Sequence, residues 1–216
     1  QADFCSISNA ASISGSGSGT SSGKGTVGGG LTVIVSENNV SATVGDRTAL
    51  SARDDIKVLA DNQVDLILVS LSLAVSGSSN SKVAAGGTMA VSVVENKAVA
   101  SLGDNVVVVS EDGTIKVESN NDELIVSVLA SVSGAPTGFT GAGTLNVLVT
   151  RSASKALVGN NATLTAGKSI SIIADGDSKL ITILVAAAGN AGADAAAGAT
   201  ISINVQLRDI EASVGT

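Results

Sequence analysis

The sequence predicts an all-β chain, a parallel β-helix or β-solenoid built from stacked repeats of about 56–62 residues. Three observations carry this expectation. One short motif recurs four times at near-constant spacing, the apolar residues are small and aliphatic, and they alternate with period two in runs that end on Gly. β-Sandwich repeats are the competing architecture.

The motif first occurs over residues 40–46, Val40 to Asp46, and returns at Ala98–Asp104, Ser154–Asn160 and Ile210–Thr216. Its glycines, Gly45, Gly103, Gly159 and Gly215, lie 58, 56 and 56 residues apart. Each copy keeps a small Ala three residues before the Gly. The alternation places the Ala and Val/Leu positions inward, and the Gly-Asp or Gly-Asn pair turns the chain.

Apolar residues make up 44% of the 216, yet there are two Phe, no Trp and no Tyr. A core without aromatic bulk suits closely spaced sheets whose backbones approach over Ala, Ser, Gly and Val. Twenty-five Gly against one Pro, Pro136, indicate tight turns and no proline-rich linker. The formal charge of −7 without a basic cluster argues against nucleic acid and anionic lipid as partners. No apolar run is long enough for a membrane span, so membrane insertion is not expected; the strongest, Leu66 to Val75, is interrupted by Ser70 and Ser72. With no His, the usual general base and metal ligand are missing, and the single Cys5 has no internal disulfide partner.

Along the chain, the segment Asp3–Gly15 lines up without a gap on Asp65–Gly77, then on Glu123–Gly134 and Lys179–Gly189. That alignment sets Cys5 on the position of Ile67, Ile125 and Ile181, and makes it a small structural hydrophobe. In the second copy one face carries Leu66, Leu68, Ser70, Ser72 and Ala74, and the other Ile67, Val69, Leu71, Leu73 and Val75. Neither face is plainly polar, so the strand is expected to be covered on both sides.

Loops follow at Ser16–Gly30, Ser78–Gly87, Ala135–Gly143 and Asn190–Gly198. None of these Gly-rich stretches runs into a Lys-Ser or Lys-Thr pair that opens a helix, so a phosphate-binding loop is excluded. Alternating strands come next: Leu31–Val35, Met89–Val94, Leu145–Val149 and Ile201–Leu207. A polar turn, Glu37–Asn39 or Glu95–Lys97, leads into the motif. Further short strands cover Ala49–Ala52, Val106–Val109 and Ala162–Thr165, then Ile56–Val58, Ile115–Val117 and Ile170–Ile172. Each period thus reads as about five short strands. The repeats run approximately over 3–64, 65–122, 123–178 and a partial 179–216.

One such unit cannot cover its own apolar ends; stacking a neighbour pairs its strands and buries side chains worth roughly 1.5–3 kcal/mol each. The chain starts and stops inside a repeat, which is expected of a segment of a longer array. A subunit that stacks end to end with other copies is the alternative.

Asp46, Asp104 and Asn160, with Asp54, Asp55, Glu111 and Asp112 near them in sequence, are calcium candidates. Turn chemistry explains the same residues. No other metal and no cofactor is called for. The charges do not recur as a close acid pair, so no catalytic residue is assigned and the chain is not expected to be an enzyme. Asn39 and Asn161 open glycosylation acceptor patterns, which arise by chance in a Ser- and Thr-rich chain.

The consensus Val-x-Ala-x-Val-Gly-Asp/Asn, then Ile-x-Val, an Ala/Ser/Gly run and Gly-x-Leu/Ile/Met-x-Val-x-Val resembles bacterial surface repeats. From Asp3 to Thr216 the chain is similar to the large filamentous adhesins of the hemagglutinin and leukotoxin type. Thr43, Ser101, Leu157 and Ser213 stand where those families have Tyr or Ile. The resemblance implies secretion to the cell surface or outside, a β-helical shaft, and adhesion to a host or matrix surface. It carries over no functional residue.

Overall fold

The computed structural model describes residues 2–18, 25–76, 82–192 and 195–216, and of 2–18 the backbone alone. The chain winds as a parallel β-solenoid of four rungs, with no helix among the described residues. The first rung holds β1 (Ala2–Ser18), β2 (Gly25–Val44) and β3 (Ala49–Ala52). β4 (Ile56–Ser76), β5 (Val83–Leu102) and β6 (Val107–Ser110) form the second. The third holds β7 (Ile115–Ala135), β8 (Phe139–Val158) and β9 (Thr163–Ala166). In the fourth, β10 (Ile170–Asp175) and β11 (Ser178–Asn190) share one line beside β7, and β12 (Ala196–Val214) follows.

Equivalent strands pair in parallel into three sheets: β1-β4-β7-β10/β11, β2-β5-β8-β12 and β3-β6-β9. We call them sheets A, B and C. Strands of 20 and 21 residues in A and B extend roughly 65–70 Å, while four rungs rise only ~14 Å from first to last. The molecule is therefore a slab. A and B lie face to face, C closes one end, and tight turns such as Pro136–Gly138 close the other, with Gly138 at φ 88°.

Each of the first three rungs has three strands, two of them long, rather than five short ones. The polar stretch Glu37–Asn39 lies within β2 and does not turn the chain. Its middle residue points inward, where the Asn38 amide donates to Asn96 Oδ1 of the next rung at 3.0 Å. A neighbour in register satisfies the amide that the sequence reading gave to a turn. The four loops are likewise shorter than expected. Gly25–Gly30, Val83–Gly87, Phe139–Gly143 and Ala196–Gly198 all belong to strands, and residues 19–24, 77–81 and 193–194 lie outside the described residues.

The register also differs from the gapless alignment. β1 pairs Asp3 with Asp61 and Cys5 with Gln63, not with Asp65 and Ile67. The Cys5 side chain lies outside the described residues. Between β4 and β7, Leu66 pairs with Ile125 and Ile67 with Val126, and Ile125 in turn pairs with Leu180. The cause is a corner of unequal length. Three residues, Arg53–Asp55, link β3 to β4, whereas four, Glu111–Thr114, link β6 to β7. Gly113 makes room for the extra residue: a Cβ there would sit 2.4 Å from the Asp54 carbonyl carbon. A slip of one residue exchanges the faces of a strand. Hence Ile125 is 1% exposed inside, while Ile181 stands outside at 39%.

The interior changes along the slab. Next to sheet C lies an aliphatic wedge of Val40, Val58, Ala98, Leu102, Val108 and Val117 with their neighbours. A belt of Asn side chains follows, then a second cluster of Leu66, Leu68, Ala90, Val94, Ile125, Leu129 and Leu148. Beyond it the two sheets close over Gly, Ala, Ser and Thr. A Cβ on Gly28 would lie 2.8 Å from Leu73 O, and one on Gly86 3.0 Å from Val132 O. Among the described residues, the hydroxyls of Ser70, at the border of this thin half, and of Ser72, Ser131 and Ser133 within it have no hydrogen-bond partner. Strand ladders and close backbone approach hold it, more than aliphatic burial does.

Candidate functional site

The recurrent motif ends each long strand of sheet B at the corner leading to sheet C. Its inward positions are as expected: Ala98, Ala100 and Leu102 are buried, as are Ala156 and Val158. At the corner the residue after each Asp or Asn is left-handed, with φ 55° at Arg47, 57° at Asn105 and 54° at Asn161. Asn tolerates this conformation far better than Arg. The turn frees an amide that the preceding rung captures. Asp104 N donates to Asp46 Oδ1 at 2.9 Å, Asn160 N to Asp104 Oδ1 at 2.7 Å, and Thr216 N to Asn160 Oδ1 at 3.2 Å.

The calcium candidates Asp46, Asp104 and Asn160 thus stack as a hydrogen-bonded column whose oxygens accept backbone amides. Asp54, Asp55, Glu111 and Asp112 sit at the opposite end of sheet C, across β3 and β6. The fold does not bring the two groups together. Among the described residues, no set of three or more Cys, Asp and Glu converges to hold a metal ion. Asn39 is outward and bonds Glu37 at 2.8 Å, and Asn161 lies in the corner turn.

The far corner carries its own capping. Thr114 donates both its amide and its hydroxyl to Asp55 Oδ1, each at 2.9 Å. These two bonds, the amide first, with Lys57 at 3.4 Å, hold the Asp55 carboxyl below its ordinary pKa. A folded-state pKa below the unfolded value stabilises the fold above the unfolded pKa, and that stability is lost as pH falls through the folded one. Asp55→Ala is therefore expected to lower the melting temperature at pH 7 by an amount that shrinks as pH drops below about 4. A gap between the two melting curves that stays constant from pH 7 to pH 3 would sink this assignment. On sheet B, Lys155 reaches Asp209 at 2.6 Å and Glu211 at 3.2 Å, which raises the ammonium pKa.

Sequence reading missed the buried polar belt. Asn62 donates to Asn121 Oδ1 at 2.9 Å, and Asn121 donates to Asn96 O at 3.3 Å across the sheets. Asn96 donates to Glu123 Oε2 at 2.7 Å, and Ser178 Oγ donates to Glu123 Oε1 at 2.5 Å. Glu123 is only 5% exposed. The signal available was an Asn recurring 58 residues on, Asn38 and Asn96, inside otherwise apolar alternation. The belt fixes register, since a slip of one residue would turn one Asn outward and leave its buried partner's amide unpaired.

The outer faces hold the largest surprise. Near sheet C they are polar, with Lys57, Asp61, Gln63 and Asp65 on A and Glu37, Asn39 and Ser41 on B. Over the thin half they are aliphatic. Ile67, Val69, Leu71, Leu73 and Val75 point out of sheet A, each 37% exposed or more. The sequence expectation that this strand is covered on both sides is not met among the described residues. On sheet B the register aligns Leu31, Met89, Leu145 and Ile201 in one outward column, and Val33, Val91, Val147 and Ile203 in the next. Where charges adjoin this lattice, Glu95, Lys97, Arg151 and Asp209 line an open groove of about 270 Å³ with both signs mixed.

Parallel register, stacked corner oxygens and an amide belt together define a β-solenoid. No protein-family model matches the chain, and no curated protein or solved structure does either.

Proposed function

We propose that the chain is a structural segment, a non-catalytic shaft, of a secreted or cell-surface filamentous adhesin or extracellular fibre. The observation that supports this most directly is the register. The polar groups of the corners, and the Asn38–Asn96 and Asn62–Asn121 pairs of the belt, bond their equivalents one rung away, a pattern suited to repetition along an axis. Chemistry at a point would need a nucleophile, base or metal ligand set that breaks the repeat, and the resemblance to filamentous adhesins points the same way.

A shaft elongates with rungs and does not depend on its turns. Chains lengthened by whole repeats and displayed on a cell should project further by roughly 4.8 Å per added rung in electron micrographs. Exchanging Ala135–Gly143 for an unrelated turn should leave cell attachment unchanged. Loss of attachment on that exchange would favour instead a binding module that meets a host or neighbouring cell through its turns. A second reading, end-to-end assembly of copies into a filament, rests on the same parallel register, which can be continued from copy to copy as it is from rung to rung.

A further inference from the structure

The outward column next to Leu31, Met89 and Leu145 consists of Gly29, Gly87 and Gly143, in register from rung to rung. These glycines have no internal reason to be glycine. None has a positive φ, and a Cβ added to any of them would meet only a neighbouring carbonyl oxygen at 3.8–3.9 Å, an ordinary contact. Gly28 and Gly86, one residue earlier, differ: there a Cβ would press on the opposite sheet at 2.8 and 3.0 Å. Glycine within a strand weakens it and marks close approach by another backbone or a ligand. On the outer face nothing among the described residues makes that approach.

We propose that the trench of Gly29, Gly87 and Gly143, with the aliphatic ridge of Leu31, Met89 and Leu145 beside it, is a docking surface for a second copy of this chain. The surface is self-complementary: about a two-fold axis the ridge of each copy enters the trench of the other, as isologous pairing requires. An open groove of about 360 Å³ already marks the trench between Leu31 and Met89. The outward apolar columns of sheet B, in which Ala199 continues the three glycines in the fourth rung, cover nine residues by four rungs, roughly 30 Å by 19 Å or about 570 Å² in projection. That is close to the ~600 Å² per partner of the smallest specific interfaces, so pairing is weak for this length of chain and strengthens with added rungs. A lipid surface is the less suitable occupant. Glu95, Lys97, Arg151 and Asp209 adjoin the columns and would be drawn towards hydrocarbon with them, and the net charge of −7 gives an anionic membrane no attraction.

The proposal does not rest on the shaft reading, and stoichiometry separates face pairing from end-to-end growth: pairing stops at two copies, whereas stacking is open-ended. Sedimentation equilibrium of the full chain is expected to show monomer and dimer in reversible exchange somewhere between about 1 μM and 1 mM, a weak association. The triple variant Gly29→Val, Gly87→Val, Gly143→Val fills the trench while keeping the surface apolar. It should weaken the dimer about tenfold or more with an unchanged β-sheet circular dichroism spectrum; if it does not fold, Gly87→Val alone is read in the same way. A chain monomeric up to millimolar concentration overturns the proposal, as does a filled-trench variant that dimerises like the parent. Open-ended polymers unaffected by the filling assign association to the strand edges and overturn it too. Co-sedimentation of monomer with phosphatidylcholine vesicles, without a dimer in their absence, would give the face to lipid.

Discussion

Leu129→Ala is expected to lower the unfolding free energy by about 2–5 kcal/mol, the range for truncating a buried Leu whose surroundings relax only in part. Leu129 is fully buried in the cluster that joins sheets A and B beyond the Asn belt. Its neighbours in the ladder are Ser70 in the second rung and Leu184 in the fourth. Ser70 is too small to fill the space left behind, so the cavity persists and the loss should lie in the upper part of the range. Urea denaturation monitored by circular dichroism measures it. The outward Val132→Ala, at a site 37% exposed, removes less buried surface and should cost well under half as much. A loss below about 1 kcal/mol at Leu129, far under the range for such cavities, would mean that this cluster does not hold the two sheets together.

Gly86→Val should destabilise by about 1–3 kcal/mol or more, whereas Gly87→Val one residue later should be neutral or stabilising. At Gly86 the new Cβ would lie 3.0 Å from Val132 O, 3.3 Å from Ser131 Oγ and 3.5 Å from Ala74 Cβ. Two of those atoms cannot retreat: the carbonyl belongs to a ladder, and the Ala methyl is fixed to its strand. The γ-methyls of Val would force the sheets apart along the thin half. At Gly87 the side chain points away from the slab, and β-branching restricts the unfolded chain without a clash. Thermal melts of both variants decide it. Equal destabilisation of the pair would show that the thin half is loose enough to swell, and would remove the argument that its glycines set the sheet spacing.

Much of the fold is legible in the sequence because the repeat is long and regular. The motif ending at Gly45, Gly103, Gly159 and Gly215 marks one corner in each rung, and alternation places its Ala and Val/Leu positions inward, where those of the second and third rungs are buried. Strand length and register are not legible in the same way. Asn38 and Asn96 read as turn residues because an isolated strand cannot bury an amide; only the neighbouring rung supplies its partner. Ile125 and Ile67 look equivalent until the additional residue in the Glu111–Thr114 corner shifts one against the other. Period two makes such a shift decisive, since it turns a core residue into a surface one. The calcium candidates were visible as a recurring pair, but their oxygens are taken up by the amide one rung on, which composition alone does not reveal. The polar belt around Glu123 depends on contacts between sheets and leaves little trace along a single strand.

The same rung length governs how the chain reaches this state. Ladder partners stand 55–59 residues apart in every sheet, from Ala2 and Ala60 to Glu123 and Ser178. Local contacts offer little guidance, so the first rung must search for the second across a loop of more than fifty residues. Closing such a loop costs entropy before any hydrogen bond is returned. Once two rungs are joined, each later strand meets a preformed edge and is laid down on it in register. Folding should therefore be limited by nucleation, slow to begin and directional afterwards, as expected of a topology made of distant contacts. A chain emerging in order from synthesis or export meets that barrier once, and every rung that follows is templated by the one before it.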